Sequence, residues 1–178
     1  MTEKKVLIAV DLQNDFIDRT LGTKEAEAIV PAAAARIREC REAGADIFAT
    51  LDTHGEDYME TREGKRLPVP HCIRGTDGWQ LNPVIREALG DCTLVEKPTF
   101  GSVRLPELIR DRIGGAEHVT IELLGLCTDI CVVSNALLLK AAFPEADVQV
   151  IAACCAGVTP EKHKAALETM ASCQIDIL

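Results

Sequence analysis

Short apolar runs alternate along the chain with Ala-rich or amphipathic stretches. Lys5 to Val10 (KVLIAV) is continuously apolar and stops at Asp11, the pattern of a strand buried on both faces of a parallel sheet. Glu25 to Ala43 is Ala-rich with spaced Ile and Val and ends at Gly44, which predicts a helix followed by a capping glycine. Asp46 to Leu51 predicts a second strand ending at Asp52. Asn82-Pro83 supplies a cap and a first-turn proline for a short helix to Leu89. Cys92 to Val95 predicts a third strand that ends before Glu96-Lys97-Pro98, and Leu105 to Ile113 a helix stopped by Gly114-Gly115. Val119 to Leu124 predicts a fourth strand, and Ile130 to Ala142 a strongly apolar helix broken before Pro144. Val148 to Ala152 predicts a fifth strand, Thr159-Pro160 caps a last helix to about Cys173, and Ile175 to Leu178 predicts a short sixth strand.

Strict alternation of strands and helices implies right-handed βαβ units. The expected class is α/β: three α/β/α layers around a mostly parallel sheet of roughly six strands, with residues 1–178 as a single domain. The long irregular segment is Thr53 to Leu81, and segments of that length in a compact domain are usually functional. Ligands in such folds bind beyond the carboxyl ends of the strands. That directs attention to Asp11, Asp52, Lys97 and the turn from Gly125 to Cys131.

Composition narrows the function classes. A net charge of −9 lacks the basic footprint of a nucleic-acid binder. No apolar run approaches the ~18 residues of a membrane span. The start, Met1-Thr2-Glu3-Lys4-Lys5, leads into too short an apolar run for an export signal, so a cytoplasmic protein is expected. Eight cysteines occur, mostly within apolar segments, and read as free thiols in a reducing compartment. Aromatic residues are only 3% of the chain, a shortage that bears on how a ring-shaped ligand is held.

Cys131 stands at the start of an apolar helix, where unpaired N–H groups lower a thiol's pKa and can hold an oxyanion. Alone, it is either a nucleophile or buried filler, and Cys127, four residues earlier, is not spaced as a C-x-x-C redox pair. Asp11 at a strand end is either a desolvated acid/base or a loop cap. Asp15 and Asp18 read as caps or solvated groups. Lys97 is either a surface residue or a partner for a thiolate or carboxylate. Asp52 and His54, two apart on an extended chain, point the same way, and His71 follows. A carboxylate and imidazoles suit Zn²⁺, Fe²⁺ or Mn²⁺. Glu60 and Glu63 lie between and are candidates for an added oxygen ligand, while His118 and His163 read as surface residues.

Several segments together carry a resemblance: Val10-Asp11-Leu12-Gln13-Asn14-Asp15-Phe16, Asp52-Thr53-His54, His71-Cys72-Ile73-Arg74-Gly75-Thr76, Lys97, and Gly125-Leu126-Cys127-Thr128-Asp129-Ile130-Cys131-Val132. In this order they resemble the isochorismatase-like cysteine hydrolases, and within them the metal-bearing nicotinamidase-like branch. The resemblance implies a Rossmann-like three-layer fold and a triad of Asp11, Lys97 and Cys131. It implies an oxyanion site from the backbone N–H groups of Cys127 and Cys131, beside a cis peptide at Leu126–Cys127. It further implies a divalent metal, zinc first and iron or manganese as alternatives, on Asp52, His54 and His71, completed by waters or one glutamate, Glu63 being preferred to Glu60. The ion would orient a small amide substrate, with Phe16 and Leu67 against it, in a homo-oligomeric enzyme. Many nicotinamidases place a tryptophan three or four residues before the last metal-binding histidine. Here Leu67 and Pro68 stand there, the single Trp is Trp79, and Ile130 replaces a frequent Tyr before the cysteine.

Three readings follow. The first is nicotinamide hydrolysis to nicotinate and ammonia through a thioester. The second is hydrolysis of another small amide, such as an N-carbamoyl compound or ureide, favoured by the missing tryptophan. The third is a non-catalytic binding protein, against which the Asp11, Lys97, Cys131 set counts. Isochorismate vinyl-ether hydrolysis is disfavoured because that branch lacks the nucleophilic cysteine.

Overall fold

The computed structural model describes residues 3–114, 116 and 118–178. Met1 and Thr2 of the chain start and Gly115 of the predicted helix stop lie outside the described residues. Six strands form one sheet in the order β3-β2-β1-β4-β5-β6. They are β1 (Glu3–Val10), β2 (Asp46–Asp52), β3 (Thr93–Lys97), β4 (His118–Leu126), β5 (Asp147–Ala156) and β6 (Asp176–Ile177). Every neighbouring pair is parallel.

The strand order reverses direction at β1, which lies between β2 and β4. The crevice beyond the carboxyl ends of β1 and β4 is therefore the switch point where α/β sheets take ligands. β1 supplies the centre of the core: Val6, Leu7, Ile8 and Val10 are completely buried, as expected for a strand covered on both faces.

The helices are α1 (Asn14–Ile17), α2 (Lys24–Glu42), α3 (Arg62–Arg66), α4 (Pro83–Leu89), α5 (Leu105–Ile113), α6 (Val133–Ala142) and α7 (Pro160–Ser172). Side chains cap several: Thr23 accepts from Ala26 N–H, Asn82 from Val84 N–H and Thr159 from Lys162 N–H. Gly114 ends α5 in the left-handed region, as its place after the last apolar turn predicts.

Of the boundaries that differ from the sequence reading, four bear on the site. β3 runs through Glu96 and Lys97, because Leu51 and Asp52 of β2 pair with them. β5 continues past Ala152 to Ala156, resuming its pairing with β4 after a shift in register. The segment predicted as the start of the apolar helix is a π-helical turn, Thr128–Val132, before α6 proper. The long segment 53–81 contains a 3₁₀ turn at Tyr58–Glu60 and α3, too short to show as periodicity.

Candidate active site

The end of β1 places Asp11 with a positive φ of 47°, turning its carboxylate inward. Its Oδ1 accepts a hydrogen bond from Thr50 Oγ1 at 2.6 Å. Its Oδ2 lies 2.6 Å from Lys97 Nζ. Oδ2 takes part in no well-aligned hydrogen bond, so a lone pair stays uncommitted. Lys97, the last residue of β3, is buried to 1% exposure and also reaches the Cys131 Sγ at 3.4 Å, the Thr99 carbonyl at 3.1 Å and Asp52 Oδ1 at 3.4 Å. Carboxylate, ammonium and thiol thus meet at one point, although β1, β3 and the turn after β4 are far apart in sequence.

Cys131 sits in the π turn. Asn135, fully buried, donates to the Cys131 carbonyl at 2.8 Å and accepts from Ser102 N–H at 2.9 Å. The Leu126–Cys127 peptide is cis. Close approach of the turn to Asp11 depends on Gly125: its φ is 125°, and a Cβ there would overlap the Val10 carbonyl oxygen.

Burial raises the Asp11 pKa, the Lys97 charge pulling the other way and Asp52 adding to the rise. Burial opposes the Lys97 charge, but Asp11, Cys131 and Asp52 outweigh it, so the ammonium is kept. Burial together with the Asp11 charge pushes the Cys131 thiol well above its ordinary value. This corrects the expectation that a helix start lowers it. The turn is water-poor and faces a carboxylate, and Lys97 does not offset both. Cys131 rests as the thiol, with a base beside it. Cys127 is likewise raised by burial, to about 12. All eight cysteines are free.

A second cluster adjoins the first. Asp52 Oδ2 lies 3.0 Å from His54 Nε2 and 3.4 Å from His71 Nε2, and Glu63 Oε1 lies 3.8 Å from both nitrogens. The four donor atoms are all within 4.8 Å of one another. His71 Nδ1 bonds the Val69 carbonyl at 2.8 Å, which leaves Nε2 free to face the cluster. Burial opposes ionisation of Asp52, but its bonds with His54 and His71 and the Lys97 charge hold it well below the usual carboxylate range. Two imidazoles and two carboxylates converging in a buried space are a donor set for a divalent metal, and the residues fit one. Glu63 belongs to this group and Glu60, exposed on the 3₁₀ turn, does not.

Both clusters open on one cavity of about 300 Å³, lined by Cys127, Cys131, Asp52, Glu63 and His71. Its remaining wall is largely apolar and includes Phe16, Leu21, Leu67, Phe100, Ile130 and Val158. Phe16 also packs edge-on against His71, with ring centroids 5.5 Å apart. Trp79 does not line the cavity, and its Nε1–H donates to Thr53 Oγ1 at 2.9 Å.

Three residues escaped the sequence reading of roles. Gln13 accepts from Asp52 N–H at 2.8 Å and donates to the Asp52 and Trp79 carbonyls at 2.9 Å, holding the strand end that carries Asp52. Asp15 is buried and accepts from Cys72 N–H at 2.8 Å, fastening the loop that carries His71. It is neither a cap nor solvated, whereas Asp18 is exposed. His163 is partly buried, with Nδ1 2.8 Å from Thr128 Oγ1, because β5 runs four residues longer than predicted and brings α7 onto the π turn. The D-L-Q-N-D-F run was the available signal for the first two.

Comparisons with known proteins show what the chain is similar to. An isochorismatase domain family model matches residues 5–178. An uncharacterized isochorismatase family protein PncA of Bacillus subtilis is 30% identical over 146 residues, covering 75% of this chain and 77% of that protein. The crystal structure of the nicotinamidase/pyrazinamidase PncA from Bacillus subtilis superposes with a TM-score of 0.83 at 26% identity, covering 98% of each chain. The pyrazinamidase of Pyrococcus horikoshii in complex with zinc gives a TM-score of 0.81 at 26% identity, again covering 98% of each. With the family match running almost end to end and the carboxylate, lysine and cysteine gathered at the switch point, this chain belongs to the isochorismatase family.

Proposed function

We propose that the chain is a single-domain, cysteine-dependent amidohydrolase of nicotinamidase type, converting nicotinamide and water to nicotinate and ammonia. One observation carries the reading: Cys131, with Lys97 and Asp11 behind it, and a metal-donor cluster meet at the same apolar-walled cavity. The structural neighbours named as nicotinamidases and pyrazinamidases support the amide C–N bond as the target.

Asp11 takes the Cys131 proton, and the thiolate attacks the carboxamide carbon. The C=O electron pair moves to oxygen, where the N–H groups of Cys127 and Cys131 receive it. The pair returns, the C–N bond breaks, and protonated Asp11 gives its proton to the departing ammonia. Water, deprotonated by Asp11, then attacks the thioester, releasing the carboxylate and restoring the thiol. Lys97 favours the Asp11 carboxylate against the effect of burial and offsets the developing thiolate charge. A divalent metal held by Asp52, His54, His71 and Glu63 would supply a Lewis-acidic anchor for a heteroatom of the substrate. Zinc is our first choice, supported by the zinc-bound Pyrococcus horikoshii relative. Phe16 and Leu67 bound the space for the group attached to the carboxamide.

A second reading, hydrolysis of an N-carbamoyl compound or ureide, is favoured by one observation. Besides Phe16 and Phe100, the apolar wall is aliphatic, with no tryptophan against the cavity. Among the described residues no helix is long and apolar enough to cross a membrane. We place the enzyme in the cytoplasm, in keeping with its eight free thiols, as a homo-oligomer.

Ammonia release from nicotinamide, pyrazinamide and a set of N-carbamoyl amines and ureides, with Cys131→Ala as control, tests the proposal. Turnover of the pyridine and pyrazine amides is expected. Release only from the carbamoyl or ureide set would replace the first reading by the second, and release from none would end both.

A further inference from the structure

His163 has no place in the reaction above, yet it touches the segment on which the reaction depends. Its Nδ1 lies 2.8 Å from the hydroxyl of Thr128, a completely buried residue next to Cys127 in the stretch leading to Cys131. The neighbouring residue of the turn is held as well, since Asp129 Oδ1 accepts from Val158 N–H at 2.9 Å. Gly157 lets these parts meet: a Cβ there would come within 2.7 Å of His163 N and 2.9 Å of Asp129 Oδ1. Thr159 caps the helix that carries His163. The junction of β5 and α7 therefore grips the π turn at two consecutive residues. From the far side, Asn135 holds the Cys131 carbonyl and Ser134 Oγ donates to the Ile130 carbonyl at 2.6 Å.

Cys127 and Cys131 are four residues apart on a turn of irregular helical path, so the relative aim of their N–H groups depends on the backbone between them. Thr128 directly follows the first of these amides. Its side chain has His163 as its partner.

We propose that His163 is a positioning residue for the oxyanion-binding turn, fixing the backbone between Cys127 and Cys131 through its bond to Thr128 Oγ1. This rests on the reading of those two amides as the oxyanion donors. A shift of a few tenths of an ångström in one donor weakens stabilisation of the tetrahedral species while leaving the thiol and its base in place.

The test compares two reactions of Cys131. In acetylation by p-nitrophenyl acetate, sulfur attacks the carbonyl carbon and the thiol proton passes to Asp11. The C=O pair moves to oxygen and returns as p-nitrophenolate leaves. In alkylation by iodoacetamide, sulfur displaces iodide at a tetrahedral carbon and no oxyanion forms. Acetylation is read as the initial rate of p-nitrophenolate release and alkylation at Cys131 by mass spectrometry, with Cys131→Ala as background for both. His163→Ala and Thr128→Val should each slow acetylation about tenfold, and the double variant no further than either alone. Alkylation should stay within about twofold of wild type. His163→Asn and Thr128→Ser, which keep a polar partner, should recover most of the acetylation rate. Unchanged acetylation in His163→Ala, additive losses in the double variant, or acetylation and alkylation falling together even in His163→Asn would each overturn the proposal. Failure of wild type to hydrolyse any amide would instead sink the amidase reading, because this comparison uses an ester.

Discussion

Lys97 and Asp11 form a wholly buried ion pair, Nζ 2.6 Å from Oδ2, with neither side chain exposed to solvent. Breaking such a pair from one side strands a charge, which typically costs about 3–5 kcal/mol. Lys97→Met should therefore lower unfolding free energy by about that amount, measured in urea, and remove turnover. Asp11→Asn should cost less stability, because Lys97 keeps Asp52 and the Thr99 carbonyl, but should remove turnover equally. Equal stability of Lys97→Met and wild type would show that the pair is not held as described.

A second buried charge sits away from the site. Glu122 on β4 is 2% exposed and binds Arg36 at 2.7 Å and Lys5 at 2.5 Å. Burial opposes its charge, yet the bonds from Arg36 and Lys5 hold its pKa below the ordinary 4.5. A carboxyl lowered on folding contributes stability that is complete above its unfolded value and is lost as pH falls through the folded one. Wild type should thus lose stability progressively below about pH 4.5, and Glu122→Gln should be less stable at pH 7 with a shallower acid slope. Parallel stability–pH curves for the two proteins would contradict this.

Zinc titration into metal-free protein should raise the melting temperature, since an ion that binds only the folded chain stabilises by about 2.7 kcal/mol at a hundred times its dissociation constant. The effect should vanish in His54→Ala and His71→Ala and shrink in Glu63→Gln, the four donors lying within 4.8 Å of one another. Trp79, bonded to Thr53 between Asp52 and His54, should report the same titration by fluorescence. A full zinc response in His71→Ala would remove that residue from the ligand set.

Gly125→Ala should be severe for so small a change. The residue has φ 125°, and its Cβ would meet the Val10 carbonyl. Strain of this kind costs about 1–3 kcal/mol for the dihedral alone, before the overlap is relieved by moving the turn. Loss of turnover with a melting temperature lowered by several degrees is expected. A crystal structure of the variant with Cys131 unmoved and normal activity would count against the close approach.

Much of the fold and of the site was readable from particular residues. The uninterrupted apolar run of Val6 to Val10 read as a strand covered on both faces, and the Asn82-Pro83 and Thr159-Pro160 pairs announced their helices. The D-x-H pair, with His71 after it, offered a candidate donor set through the two-residue period of an extended chain, and the structure brings these residues together with Glu63. What did not show were features set by partners distant in sequence. β3 gained Glu96 and Lys97 only because β2 pairs with them. His163 looked like a surface residue on a polar helix, and the longer β5 and α7 brought it to Thr128.

The amino-acid sequence by itself determined the alternation of elements and the α/β class, because these follow from local periodicity and capping; the candidate triad of Asp11, Lys97 and Cys131 came from the motifs that carry the family resemblance. Tertiary structure alone decided that burial and Asp11 raise the Cys131 thiol where a helix start would lower it, that Asp15 is buried against the loop carrying His71, and that α7 meets the π turn through His163. Those properties depend on desolvation and on distances of a few ångströms between segments far apart in the chain, which no local pattern encodes.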